Sequence, residues 1–330
     1  MKKKIIYFLL ILLLSVSVSA QKFEYGVEYG GLFDNREFPG GYSRSETITG
    51  SGIDFSVGTS IDSIHKFRAG LNYFYEFGTK LLEIRPNPIL YYSVEKNGLG
   101  LKIGAFLRNK SFQMPLAFIS EKYAYFNPVV DGILISYKKK DFSTGIYMDW
   151  VSRIDSIRRE QFMICYNGNY TPGNFILEGF WYLYHDRPNL MRLPGDHIMD
   201  YTGANLMVGY DFKSLLPLDI LTLKGGILTS LYRNRGNGLD FELANSAYFD
   251  LQAEYKWFGL HSVLNFGEPH KFSHGDDFYS NTSNYVRTDV YVTPLRYKNI
   301  TGRFTWSFHV ANSKLEHQQI FLLMYTLNPV

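Results

Sequence analysis

The sequence predicts an all-β fold, a transmembrane antiparallel up-and-down β-barrel of about 16 strands. Three observations predict it. Apolar and polar residues alternate with period two through most of the 330 residues. Aromatic residues make up 17% of the chain, with 26 Tyr and 26 Phe. Short turns alternate with longer polar connections, the arrangement expected at the two rims of a barrel.

Residues 1–20 come first. Lys2, Lys3 and Lys4 precede an apolar run from Ile5 to Leu14, and small residues end at Val18-Ser19-Ala20. This is the layout of a secretory signal peptide, with cleavage expected after Ala20. The apolar run falls short of the roughly 20 residues that a spanning helix needs. Gln21, not a cysteine, directly follows the cleavage site, so no lipid anchor is expected there. The three lysines account for the whole formal charge of +3, and the rest of the chain is formally neutral. That balance argues against nucleic acid as a partner. Cys165 is the only cysteine, which leaves no internal disulfide to form.

The barrel is expected over 21–330 as one domain. In its first segment Phe23, Tyr25, Val27 and Tyr29 alternate with Glu24, Gly26, Glu28 and Gly30. The next sets Ile53, Phe55, Val57 and Thr59 against Asp54, Ser56, Gly58 and Ser60. Similar runs begin at Phe67, Leu99, Phe142, Ala204, Leu221, Phe249, Ile300 and Phe321. Weaker strands are expected near 88–95, 129–138, 160–170, 175–185, 259–267 and 285–293. An even count returns both termini to one side. Tight turns are expected at Asp62-Ser63-Ile64-His65, Lys96-Asn97-Gly98, Lys138-Lys139-Lys140-Asp141 and Thr171-Pro172-Gly173-Asn174. Long connections are expected near 33–47, 108–128, 186–202, 233–246 and 267–284.

A soluble sandwich also alternates, so the aromatics decide between the two. Phe142 and Trp150 share a face, as do Phe249 and Trp257. Eight residues on a tilted strand rise about 20 Å, close to the roughly 25 Å apolar band of an outer-membrane barrel. The opposite face carries Glu24, Glu28, Asp54, Arg68, Glu76, Lys102, Arg108, Asp149, Asp250, Glu254, Arg287, Asp289, Arg303 and His309. Lone charges in a dry core are prohibitively expensive, whereas a wet lumen accepts them. These residues are therefore expected to line a pore, either filtering solutes or pairing to hold the wall. The 108–128 segment is long and aromatic enough to turn inward as a constriction. Phe74, Phe106, Tyr147, Phe180, Tyr182 and Tyr184 also face inward, either to stack on sugars or to fill space.

The sequence contains no G-x-S-x-G elbow, H-E-x-x-H pair or phosphate-binding loop. His65, His185, His261, His309 and His317 read as isolated polar residues. Glu268 to Asp277, with His270, His274, Asp276 and Asp277, offers potential ligands but no recognised metal spacing, and reads as a hydrated external loop. Pro194-Gly195-Asp196-His197 reads as a turn. No catalytic, cofactor or metal-binding residue is assigned, no cofactor is expected, and the chain is expected not to be an enzyme.

Val18-Ser19-Ala20-Gln21, the tyrosine-rich strands and the closing Phe321-Leu322-Leu323-Met324-Tyr325-Thr326-Leu327 together resemble porin-like outer-membrane β-barrels of the Bacteroidota. The resemblance implies a bacterial outer-membrane location, with outer-membrane lipid and lipopolysaccharide as neighbours. One departure is the ending Asn328-Pro329-Val330, where such barrels often end on an aromatic residue. Three functions are in view. The first is a porin-like channel for small hydrophilic solutes or sugars. The second is a closed barrel whose long loops bind a partner or polysaccharide. The third is an envelope-lipid-modifying enzyme, which predicts a Ser or Asp beside a His on the outer wall at the membrane boundary.

Overall fold

The structure, a computed structural model, describes residues 21–327. The expected signal peptide at 1–20 and the terminal Asn328-Pro329-Val330 lie outside the described residues. The first half of the barrel comprises β1 (Gln21–Glu37), β2 (Glu46–Ile61), β3 (His65–Glu76), β4 (Asn87–Lys96) and β5 (Leu99–Leu107). It continues with β6 (Val129–Lys139), β7 (Phe142–Ser152) and β8 (Glu160–Tyr170). The second half comprises β9 (Phe175–Arg187), β10 (Met199–Asp211), β11 (Ile220–Asn234) and β12 (Glu242–Tyr255). β13 (Phe258–Gly267), β14 (Asn284–Tyr297), β15 (Ile300–Ala311) and β16 (Lys314–Leu327) complete it.

Every strand pairs antiparallel with its chain neighbours, and β1 pairs with β16, from Val27↔Leu327 to Glu37↔His317. The sheet thus has no edge. In hydrocarbon each unpaired backbone amide or carbonyl would cost several kcal/mol, so closure is what makes the wall compatible with lipid. The sixteen strands agree with the expected number.

Side-chain parity makes the two faces different. Along β9, Leu177 points out and is 45% exposed, whereas Tyr182 points in and is fully buried. Exposed Phe33, Phe67, Ile135, Leu206, Ile227 and Phe321 belong to the same outward set. One rim is made of short turns, apart from the eight-residue connection 212–219 between β10 and β11. The β4–β5 hairpin turns on Asn97 and Gly98, both at positive φ, which suits the right-handed twist of the flanking strands. The other rim carries the longer loops, except between β15 and β16, which join through only Asn312 and Ser313. Several strands run further toward this rim than expected: β1 continues to Glu37 and β9 to Arg187. Their ladders outlast the apolar pattern because polar outward residues such as Asn35 and Thr47 still bond across strands, at 2.9 Å.

The core lies inside the barrel, under two of the long-rim loops. The 108–128 segment turns inward, as its length and aromatics predict, and carries the short helix Glu121–Phe126, capped by the Ser120 hydroxyl. Phe118 is fully buried, stacked on Tyr182 at 5.7 Å and edge-on to Phe272 at 4.9 Å. The 268–283 segment enters beside it, and Phe278 stacks on Tyr285 at 4.9 Å. This corrects the reading of Glu268 to Asp277 as a hydrated external loop. His270 is fully buried, between the Ser230 hydroxyl at 3.0 Å and the Ser246 hydroxyl at 2.7 Å. Phe272, Phe278 and Tyr279 draw the segment inward, and the strands supply the partners that its polar groups need.

Candidate functional site

The inward charges named from the sequence do face the lumen, but most of them are engaged with one another or with the plug. Arg108 reaches Asp149 at 2.5 Å and the Tyr147 hydroxyl at 3.0 Å. Arg287 holds Asp289 at 2.8 Å and Glu121 of the inward helix at 2.7 Å. Burial alone would raise the Glu121 carboxyl, but Arg287 and Arg36 outweigh it and hold it at about 2. His309 is hydrogen-bonded on both ring nitrogens, to Tyr285 and to Gln318. Asp250 meets Lys224 at 3.4 Å and His261 at 3.2 Å, and Glu254 accepts from Tyr291. Arg303 lies over the Tyr291 ring, Asp54 accepts from Asn72, Glu28 pairs with Lys110, and Glu76 ends β3. Glu24, Arg68 and Lys102 line a cavity of about 1050 Å³ at the short-turn end. Two regions therefore divide the lumen, a packed half under the long loops and a polar cup beneath it.

The outer wall carries a constellation that crosses five strands. On β9 the outward parity that exposes Phe175 and Leu177 also turns His185 outward. On β10 the parity that exposes Leu206 and Val208 does the same for Asp200. The hairpin register sets Asp200 directly opposite His185, and the next pair sets Arg233 opposite Asp200. Nδ1 of His185 lies 2.8 Å from Asp200. Arg233 donates to the same carboxylate at 2.7 Å and Arg235 at 2.9 Å. On the other side Phe162 stacks against the imidazole at 5.1 Å, and Trp150 against Phe162 at 5.7 Å.

This order has physical content. In membrane barrels Trp and Phe are enriched where hydrocarbon gives way to headgroups, and here the His–Asp–Arg set lies beside such a pair, toward the long-loop rim. Arg187 and Arg159 flank it, paired with Glu160 at 3.2 Å and Asp186 at 2.7 Å. The nearby Asp196-His197 turn has Arg192 at 3.0 Å from Nδ1 of His197.

Of the five histidines first read as isolated, His185 alone combines an outward position, a carboxylate on Nδ1 and no partner for Nε2 among the described residues. His317 also faces outward, but Gln319 and Glu37 occupy both its nitrogens. His65 meets Tyr92 at the short-turn end. The reading of His185 as isolated missed a signal that was present: His185 and Asp200 stand symmetrically about a single hairpin loop. With one chosen register, outward parity brings them together.

A closed sixteen-strand barrel with an apolar outer wall and a polar lumen defines the class, a porin-like barrel of the outer-membrane type. Among solved structures, OpdK of Pseudomonas aeruginosa, determined with vanillate, aligns with a TM-score of 0.52 at 10% identity, over 93% of this chain and 98% of that one. A mutant porin of Rhodopseudomonas blastica aligns with a TM-score of 0.51 at 11% identity, over 93% of this chain and 100% of that one. These likenesses show the fold. Among curated proteins, none matches the sequence.

Residues 16–329 match the pattern of the Lipid A 3'-O-deacylase-type family, and the chain belongs to that family. The match corrects the expectation that the chain is not an enzyme, because the family is named for an enzymatic activity. Motif searching did not find this, since a barrel assembles side chains across strands instead of along one local stretch.

Proposed function

We propose that the protein is an outer-membrane hydrolase that removes an ester-linked acyl chain from an anionic envelope glycolipid, working at His185 and Asp200 on the outer wall. The single observation carrying this reading is the 2.8 Å contact between them on the outward face, toward the long-loop rim. Lipid reaches such a site by lateral diffusion, without entering the lumen. Asp200 accepts from Nδ1–H and so fixes the tautomer that leaves Nε2 as a base. Nε2 takes a proton from water as the water oxygen attacks the ester carbonyl. The acyl carbon–oxygen bond then breaks, and the same proton passes to the departing alkoxide. Arg187, Arg192 and Arg235 keep guanidinium N–H groups for headgroup phosphates beyond those they give to Glu160, Asp196 and Asp200, and the wall around Phe162 and exposed Leu206 suits the acyl chain. The leader at 1–20 would deliver the chain for insertion among outer-membrane lipid and lipopolysaccharide.

The test is mass spectrometry of a hexa-acylated lipid A incubated with purified protein in mixed micelles. Loss of one acyl chain by wild-type protein and none by His185→Gln is the expected result. Equal turnover by a folded His185→Gln variant would overturn the assignment.

A second reading, passage of small hydrophilic solutes, is favoured by the 1050 Å³ cup. Bilayer conductance of the intact chain, compared with a variant lacking residues 112–126, tests it. No current from either form would remove it.

A further inference from the structure

The cup at the short-turn end has a chemistry that the outer-wall reaction does not use. Its wall is assembled by register: Lys66 on β3 stands opposite Ser93 on β4, and Ser93 stands opposite Lys102 on β5. The adjacent inward row sets Arg68 opposite Tyr91. All five residues line the same cavity of about 1050 Å³. Lys66 and Lys102 make no ion pair among the described residues, and Lys102 instead lies 4.9 Å from the centre of the Tyr91 ring. Arg68 bonds Glu24 through Nη2 only. Its Nε and Nη1 are buried without an acceptor, although the side chain is only 5% exposed. Buried donors left without partners are costly, and although Glu24 and Glu95 share the wall, Lys22, Lys66, Arg68, Lys102, Lys110 and Lys138 outnumber them and focus a positive potential into the space before them.

We propose that this cup binds a small phosphorylated solute from the periplasmic side, its phosphate held by Lys66, Lys102 and Arg68, with Ser93 and Tyr91 as hydroxyl donors. A phosphate carries enough acceptor oxygens to satisfy several of these groups at once, including the idle edge of Arg68 once that side chain turns toward the ligand. The volume leaves room for an attached polar group the size of glycerol or a sugar. The site is independent of the His185–Asp200 reading and faces the opposite compartment.

The experiment is calorimetric titration of the full chain, in detergent micelles at low salt, with inorganic phosphate and with glycerol 3-phosphate. Saturable binding of both is expected, with none for glycerol. The Lys66→Gln/Lys102→Gln double variant should bind at least about tenfold more weakly, because two charge-assisted contacts are lost. Glu24→Gln should bind more tightly, because Arg68 is released from its carboxylate. Circular dichroism and the heat-dependent gel shift of folded barrels verify that each variant is intact. His185→Gln must bind phosphate like wild type, which separates this site from the outer-wall one. Absence of saturable binding, equal displacement by chloride at matched ionic strength, or unchanged affinity in both variants would overturn the proposal.

Discussion

The backbone amide of Ser120 donates to the carbonyl of His274 at 2.8 Å, and that of Asp276 donates to the Leu116 carbonyl at the same distance. Two loops that leave the barrel on opposite sides of the sequence therefore meet as one hydrogen-bonded plug. Whatever loosens one loosens the other.

Glu121 is where that plug is fastened to the wall. Glu121→Gln leaves Arg287 and Arg36 without their shared carboxylate, and stripping one partner from an enclosed ion pair costs more than the pair itself contributes. Destabilisation of about 2–3 kcal/mol is expected, below the roughly 3–5 kcal/mol of a fully enclosed pair, because the Glu121 side chain is about a quarter exposed. Denaturant unfolding of wild type and variant measures it.

Replacing Phe118 with Ala should cost about 3–5 kcal/mol, since the ring is fully buried against Tyr182 and Phe272. The vacated space lies inside the barrel, between Tyr182 of the wall and Phe272 of the second inward loop. Small-solute leakage through liposomes carrying the variant should rise above that of wild type, and unchanged leakage would mean that other side chains close the gap.

Acid should loosen the plug. Burial lowers His270 to about 4 and, with Arg108 nearby, His274 to about 4, from an ordinary value of 6.5. A histidine held neutral in the fold contributes stability that is complete above pH 6.5 and is lost as pH falls toward 4. Asp276 works the other way. Burial raises its carboxyl to about 6, so its penalty fades as pH falls from 6 to 3.8. Glu121 stays ionised through this window and loses its contribution only below 4.5. Two histidines outweigh one aspartate, so hydrogen exchange in residues 268–283, corrected for its intrinsic pH dependence, should be faster at pH 5 than at pH 7.5. Asp276→Asn should steepen the trend, and His270→Gln with His274→Gln should flatten it.

If His185 and Asp200 act as a unit, their variants will not add. Asp200→Asn should lower kcat by about 10³–10⁴-fold with little change in KM, because the tautomer is lost while lipid binding is kept. His185→Gln should do similar damage, and the double variant should be no worse than the more damaged single one. Steady-state kinetics on micellar lipid measures all three, and additive losses would separate the two residues.

The barrel was legible in the sequence because its determinants are local. Leu177 and Tyr182 reveal their faces by parity within one strand, and Asn97-Gly98 marks its hairpin without reference to anything distant. The plug and the outer-wall pair depend on partners from elsewhere. His270 looks hydrophilic in its own segment, and only the fold brings Ser230 and Ser246 to it. Asp200 lies 15 residues beyond His185, and composition does not state the register of the loop between them. Arg108 and Arg287, expected from parity to line a pore, lie inside the barrel and bond to Asp149 and to Glu121 of the inward loop. Strand parity sets direction, but what a side chain meets there is settled by segments far away in the chain.

The docked loops also bear on the cell that makes this barrel. An envelope protects by excluding detergents and toxic solutes, and each wide open barrel weakens that barrier. On the proposed outer-wall reading, a copy in which Ser120 stays joined to His274 adds a working surface while its lumen stays filled beneath the long loops, so its abundance can rise without a matching loss of impermeability.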